Sequence, residues 1–189
     1  MSNFTFETTS VPGVVVITPK VFGDERGYFM ETYKSTDFAK AGIDKPFVQD
    51  NQSRSSRGVL RGLHFQKEHT QGKLVRVTLG EVYDVAVDCR PGSETFGKWV
   101  GVTLSAENKK MFYIPEGFAH GFVVLSDVAE FCYKCTDVYD PANEGGIPFD
   151  DPTVNVQWPD CGCEPKTSAK DKEHPAFAQQ DFSYFKKYL

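Results

Sequence analysis

Apolar and polar positions alternate in short runs along most of this chain, the pattern of strands with one face buried. Val14 to Pro19 is an apolar, β-branched run that follows Pro12-Gly13. From Lys73 to Leu79, Leu74, Arg76 and Thr78 alternate with Val75, Val77 and Leu79. From Glu81 to Cys89, Val82, Asp84, Ala86 and Asp88 lie opposite Tyr83, Val85 and Val87. Similar runs cover 99–104, 110–114, 121–125 and 129–136. Strands this short, spaced by roughly 8–12 residues and not alternating with helices, predict an all-β fold, a double-sheet jelly roll or small barrel. A few short peripheral helices accompany it. One is predicted over Ser35 to Ala41, with Ser35 or Thr36 as N-cap and Gly42 as its stop. Asp181 to Leu189 reads as a second helix or as an irregular tail docked by its aromatics. The stretch from Tyr139 to Glu173 is rich in Pro and Gly. It is expected to be an ordered excursion folded back over the barrel, so that 1–189 form one domain.

Composition narrows the function. The chain is 40% hydrophobic and 14% aromatic, which excludes disorder. A net charge of −5 makes nucleic acid a poor partner, although a local arginine cluster can still hold one anionic ligand. No apolar run approaches the roughly 18 residues of a membrane span, and Met1 to Ser10 lacks the pattern of a signal peptide. Five cysteines, an odd number, argue against a complete disulfide framework and for a reducing cytoplasm.

Several motifs carry chemistry. In Arg61-Gly62-Leu63-His64-Phe65-Gln66 a regular strand would put His64 on one face and Arg61 on the other, so that only a bulge at Gly62 brings Arg61 to His64's side. His64 is either a general base or a satisfied structural histidine. Lys73, opening a strand, is either solvated or an inward ammonium that stabilises charge on a substrate oxygen. Tyr133 shares a face with Phe131 and Cys135, as core or as proton donor. Cys132 and Cys135 diverge on a strand, and Cys161-Gly162-Cys163 lacks the spacing of a structural zinc site. Phe22 to Phe29 is a charged turn flanked by aromatics, which would present Arg26 to solvent or to a phosphate. Ile114-Pro115-Glu116-Gly117-Phe118-Ala119-His120 resembles the second cupin motif. Where cupins usually place further metal ligands, this chain has Gln66 and Lys73. An ammonium repels a divalent ion, so no metal is expected.

Together these segments resemble the dTDP-4-dehydrorhamnose 3,5-epimerase family, cupin-fold enzymes of deoxysugar biosynthesis. The resemblance rests on KVFGDERGYFMETY (20–33), FVQDNQS (47–53), VLRGLHFQ (59–66), QGKLVRV (71–77), GEVYDVAVD (80–88), TFGKWVGVTLSAENK (95–109), IPEGFAHGF (114–122), AEFCYK (129–134) and SAKD (168–171). It implies His64 as base, Asp171 as the carboxylate that orients it, Tyr133 as proton donor and Lys73 beside the C4 ketone. It implies diphosphate contacts from Arg26 and Arg61. Further substrate contacts would come from Glu31, Gln49, Asn51, His120, Glu144 and Lys170, with Tyr139 stacking on thymine. The implied substrate is the nucleotide sugar dTDP-4-dehydro-6-deoxy-D-glucose, epimerised at C3 and C5 without organic cofactor, in a homodimer that exchanges N-terminal strand contacts. The chain departs from the family at Pro148-Phe149, where Arg-Trp is usual, and at Glu94, Cys135 and Val138. A C3-only epimerase, a metal-dependent cupin and a non-catalytic sugar-nucleotide binder are the rival readings.

Overall fold

Short strands dominate residues 2–189, which the computed structural model of the chain describes. In order they are β1 (Phe4–Thr8), β2 (Val15–Pro19), β3 (Val21–Asp24), β4 (Gly27–Met30), β5 (Gln49–Ser56), β6 (Leu60–Gln66), β7 (Lys73–Leu79), β8 (Glu81–Asp88), β9 (Trp99–Ser105), β10 (Met111–Ile114), β11 (Phe118–Val124), β12 (Val128–Cys135) and β13 (Glu144–Gly146). Two short helices, α1 (Ser35–Lys40) and α2 (Ala169–Lys172), and three 3₁₀ turns complete them. A six-stranded sheet runs β1-β2-β10-β7-β12-β5, and a five-stranded sheet runs β13-β6-β11-β8-β9. The expected double-sheet jelly roll is therefore present. The hairpin of β3 and β4 stands apart from both sheets.

Three apolar layers hold the sheets. Between them lie Val75 and Val77, Val82 and Ala86, Phe112, Phe122 and Phe131. Outside the five-stranded sheet, Leu63, Phe65, Val85 and Val87 meet Ile147, Val154, Phe177, Phe182 and Phe185. The turn-rich excursion and the C-terminal tail thus fold back over the barrel, as the sequence pattern predicts. The tail does so as a 3₁₀ turn over Ser183–Tyr188 with Phe185 fully buried. Outside the six-stranded sheet, α1 lays Phe38 edge-on against Phe4 and Tyr33.

The N-cap of α1 differs from expectation. Lys34 occupies it in an extended conformation, and no side chain caps the helix. The first turn is held by the Lys34 carbonyl, which accepts from the Asp37 and Phe38 amides, and by burial of Phe38. Gly42 ends the helix at φ +82°, as its position suggests.

The pairing of β6 with β11 departs from a regular ladder. His120 lies opposite His64 and Phe122 opposite Arg61, so two steps on β11 span three on β6. That extra residue is a bulge, and it turns Arg61 and His64 to the same side despite their odd spacing. Gly62 sits in it at φ +127°. A Cβ there would stand 2.5 Å from the Gly121 Cα, and one on Gly121 would stand 2.7 Å from the Arg61 carbonyl oxygen. Two facing glycines are needed for the strands to approach this closely.

Substituting Gly62→Ala is expected to lower unfolding stability by about 2–4 kcal/mol, from combined backbone strain and overpacking. Urea titration measures this. A change within about 0.5 kcal/mol, the range of a neutral surface substitution, would show that the bulge accepts a side chain.

Candidate active site

The inter-sheet core gives way at one end to a cavity of about 180 Å³, lined by Ser53, Arg61, His64, Lys73, His120, Phe122, Phe131 and Tyr133. Each sheet supplies half of it. Arg61 and His64 on β6 and His120 and Phe122 on β11 come from the five-stranded sheet. Ser53 on β5, Lys73 on β7 and Phe131 and Tyr133 on β12 come from the six-stranded sheet. His64 and Tyr133 therefore enter one cavity from opposite walls. Phe122 and Phe131 stack at 4.2 Å between centroids and form its apolar floor.

His64 is anchored from the far end of the chain. Its Nε2 lies 2.7 Å from a carboxylate oxygen of Asp171, 107 residues later. Ser168 caps α2 by accepting from the Asp171 amide at 3.1 Å, which fixes the carboxylate below the histidine. Burial works to raise the Asp171 pKa, but its bonds to His64 and Ser168 and the nearby Gly62 amide outweigh it and hold the group below its usual range. An ionised carboxylate only accepts, so His64 Nε2 is the donor, and in the neutral ring that tautomer leaves the lone pair on Nδ1. His174 packs edge-on to His64 at 5.9 Å, and His64, Asp171 and His174 offer atoms within 4.8 Å of one another. The 2.7 Å between His64 and Asp171 is a hydrogen-bond distance; two ligands about 2.0–2.1 Å from a tetrahedral ion would stand about 3.3 Å apart.

A second buried histidine–carboxylate pair lies beside the first. Asp84 on β8 is fully buried and meets His120 Nε2 at 3.0 and 3.1 Å. Burial raises the Asp84 pKa against the opposing pull of His120 and Lys73. Burial lowers His120, with Asp84 opposing and the charges of Lys73 and His64 adding. Burial also pushes the Lys73 ammonium down, against the attraction of Cys135, Asp84 and Glu144. Tyr133 is raised, chiefly by burial, and so stays protonated beyond its ordinary range.

Further along β5 from Ser53 begins a hydrogen-bonded set of polar side chains. Gln49 donates to Asn51 at 3.0 Å and accepts from the Tyr139 amide at 2.8 Å. The Tyr139 hydroxyl donates to Glu144 at 2.6 Å, which holds the phenol up at about 12. Lys170 donates to the same carboxylate. Arg61 donates through Nε and Nη2 to Ser55 at 3.2 Å. Gln66, where cupins place a ligand, instead ties two loops, donating to the His69 and Val138 carbonyls and accepting from the Asp140 amide.

Of the residues singled out in the sequence, His64, Lys73, Tyr133, Arg61 and His120 thus share the cavity. Asp171 backs it through His64, and Gln49, Asn51, Tyr139, Glu144 and Lys170, none of which lines it, join in one hydrogen-bonded set. Arg26 and Glu31 lie elsewhere: Arg26 is on the β3–β4 hairpin, paired with Asp24, and Glu31 accepts from Asn3 at 2.7 Å. Sequence pattern assigns no chemistry to Asp84, although its signal is there, a carboxylate flanked on its own face by Val82 and Ala86.

Comparison with known proteins agrees with this geometry. A family model described as dTDP-4-dehydrorhamnose 3,5-epimerase matches residues 8–179. The dTDP-4-dehydrorhamnose 3,5-epimerase of Methanothermobacter thermautotrophicus is 57% identical over 84% of this chain and 86% of its own. That of Pseudomonas aeruginosa is 56% identical over 91% of this chain and 95% of its own. The solved dTDP-6-deoxy-D-glucose-3,5-epimerase of Legionella pneumophila, in complex with dTDP-4-keto-L-rhamnose, superposes with a TM-score of 0.93 at 50% identity, covering 96% of each chain. A 3'-monoepimerase from Streptomyces bikiniensis, solved with dTDP-quinovose, reaches 0.85 at 35% identity over 90% of this chain and 86% of its own. Sequence, fold and the paired walls of the cavity agree: this chain belongs to the dTDP-4-dehydrorhamnose 3,5-epimerase family.

Proposed function

We propose that the chain inverts C3 and C5 of dTDP-4-dehydro-6-deoxy-D-glucose to give dTDP-4-dehydro-L-rhamnose, with His64 as base, Tyr133 as acid and Lys73 at the ketone oxygen. The observation that carries this reading is the entry of His64 and Tyr133 from opposite sheets into one cavity. Inversion requires removal of a proton from one face of a carbon and return from the other. A C–H beside a ketone is acidic only because the electron pair left behind delocalises onto oxygen as an enolate. His64 Nδ1 takes the proton, and Asp171 stabilises the imidazolium that forms. Lys73 donates to the C4 oxygen as its charge grows, and the apolar floor of Phe122 and Phe131 keeps that interaction strong. Tyr133 then protonates the opposite face. C3 and C5 both flank C4, so one base, one acid and one cation serve both centres in turn.

The cavity is smaller than the roughly 300–1,000 Å³ of an ordinary ligand pocket, which suits the sugar alone. The nucleotide is then held at the rim by Gln49, Asn51, Glu144 and Lys170, with His120 and Lys73 inside and the half-exposed Tyr139 ring against the base. Arg61 stands at the mouth as a diphosphate ligand. Arg26 and Glu31 reach the site only if a second copy of the chain presents them. The β3–β4 hairpin leaves Val21, Phe22, Tyr28 and Phe29 exposed, an apolar surface suited to cover by that copy in a homodimer. A cytoplasmic location and one catalytic unit over 1–189 complete the proposal. Inversion of both centres is favoured over C3 alone because identity to the 3,5-epimerases exceeds that to the monoepimerase.

In deuterium oxide the product is expected to carry label at both C3 and C5 by NMR, and His64→Asn is expected to take up none. Undiminished exchange in His64→Asn would remove it as the base, and label at C3 alone would make the enzyme a monoepimerase. Tyr133→Phe is expected to lose net inversion by on the order of 10²–10⁴-fold while retaining part of the exchange. An unchanged epimer yield would remove Tyr133 from the acid role.

The pH profile separates the two groups on its alkaline side. Burial pushes the Lys73 ammonium down and the Tyr133 phenol up, so the alkaline limb is expected to follow the ammonium. Lys73→Arg is expected to shift the alkaline limb of kcat to higher pH, whereas Tyr133→Phe leaves the limb in place. A limb that disappears in Tyr133→Phe would assign it to the phenol.

A further inference from the structure

Cys161-Gly162-Cys163 lies outside the epimerase machinery, on the segment that leads to Asp171. The two sulfurs are 3.8 Å apart. Gly162 makes the turn between them at φ +76° with open space around it. Cys161 is buried against Leu60 and Val123, and its thiol donates to the Cys163 carbonyl at 3.0 Å. Cys163 is exposed, and its sulfur sits directly over Gly58, where a Cβ would come within 2.3 Å of it. Arg57 donates to the Cys161 carbonyl at 3.5 Å, and Lys166 bridges to Val59. One thiol is thus open to reagents from solvent and the other waits behind it, an attacking and a resolving position.

We propose that Cys161 and Cys163 form a reversible disulfide by exchange with a small-molecule disulfide such as oxidised glutathione. Cys163, as thiolate, attacks one sulfur of the reagent. The reagent's S–S bond breaks, and its first half leaves as a thiolate that takes up the proton Cys163 gave. Cys161, deprotonated in turn, attacks the Cys163 sulfur and expels the second half, which takes up the Cys161 proton. Two protein thiols are oxidised and one reagent disulfide is reduced to two thiols. Closure from 3.8 Å to a bond length of about 2.05 Å needs only a sulfur shift of about 1.8 Å. The other thiols do not compete for this role. Cys132 and Cys135 point to opposite faces of β12, and Cys89 is wholly buried with its thiol pushed up by burial. The positive charges of Lys166 and Arg57 favour the Cys163 thiolate, while desolvation and the bond with Cys161 hold its pKa above the ordinary value, so exchange quickens as pH rises. The site does not depend on the epimerase assignment, since neither cysteine touches the cavity.

The folded, unsubstituted chain is incubated with oxidised glutathione at mildly alkaline pH, alkylated, and cleaved before Asp160 and Asp171. The peptide 160–170 holds these two cysteines and no other. It is expected two hydrogens light, with neither thiol alkylated, and to regain both alkyl groups after treatment with dithiothreitol. Cys161→Ser is expected to stop at a glutathione adduct on Cys163. Full alkylation of both thiols after exposure overturns the proposal. So does a lasting glutathione adduct on Cys163 in the unsubstituted chain, or pairing of either cysteine with a different one.

Discussion

The close approach of Gly62 and Gly121 is the constraint on which the site depends. A strand alternates its side chains with period two, so residues three apart face away from each other. Arg61 and His64 are three apart, yet both line the cavity. The bulge resolves that conflict, and it is sterically possible only because neither strand carries a Cβ at the crossing point. The same residue reaches further. The Gly62 amide helps keep Asp171 ionised, so one backbone irregularity aims His64 into the cavity and supports the carboxylate it is bonded to. The contact between His64 and Asp171 then ties the last part of the chain across β6, and the apolar layer of Phe177, Phe182 and Phe185 makes that closure stable.

Within the cavity, charge is placed where the apolar core stops. Lys73, Asp84 and His120 lie next to Phe122 and Phe131, where burying an unpaired ion is costly. Each is kept by a neighbour: Asp84 by His120, and Lys73 by the carboxylates of Asp84 and Glu144. A lysine strained by burial gains most from a ligand oxygen that becomes negative. In the proposed reaction an enolate supplies such an oxygen only as the proton leaves, and on that reading the arrangement favours the transition state over the bound ketone.

The same physics decides which elements are legible in the sequence. β7 and β8 read clearly because they carry β-branched apolar residues, on the inter-sheet face of β7 and on both buried faces of β8, and their limits can be read to within a residue. β5 cannot be read this way, since the polar Gln49, Asn51 and Ser53 make its half-buried face, with Ser53 lining the cavity, while Asp50, Gln52 and Arg54 face solvent. A strand polar on both faces carries no hydrophobic period. The β3–β4 hairpin reads as a charged turn for a related reason: nearly all of it is exposed. Sequence pattern misplaces the α1 cap because a buried Phe38 decides that helix and no side chain caps it. The roles of His64, Tyr133 and Lys73 come from family resemblance, since spacing alone leaves each of them open. The bulge at Gly62 is posed by the sequence as a condition, and the register of β6 against β11 meets it.

The division of labour between walls and rim comes from these placements. The proton-transfer groups sit on central strands, held on both sides by ladder hydrogen bonds, where small displacements are costly. Most of the groups proposed for nucleotide and diphosphate sit on the edge strands β5 and β13, on α2, on loops and on the outlying hairpin, with Arg61 on β6 and His120 on β11 the exceptions. Rigid geometry is needed where a proton must cross a distance set by two sheets. Binding a flexible diphosphate tolerates side chains such as Arg61 and Arg26, whose reach absorbs error. The outlying Arg26 is therefore compatible with a precise site, since the diphosphate proposed for it is the part of the ligand for which charge matters more than position. The imidazole, the phenol and the ammonium lie within one chain, and the two sheets fix their relative positions.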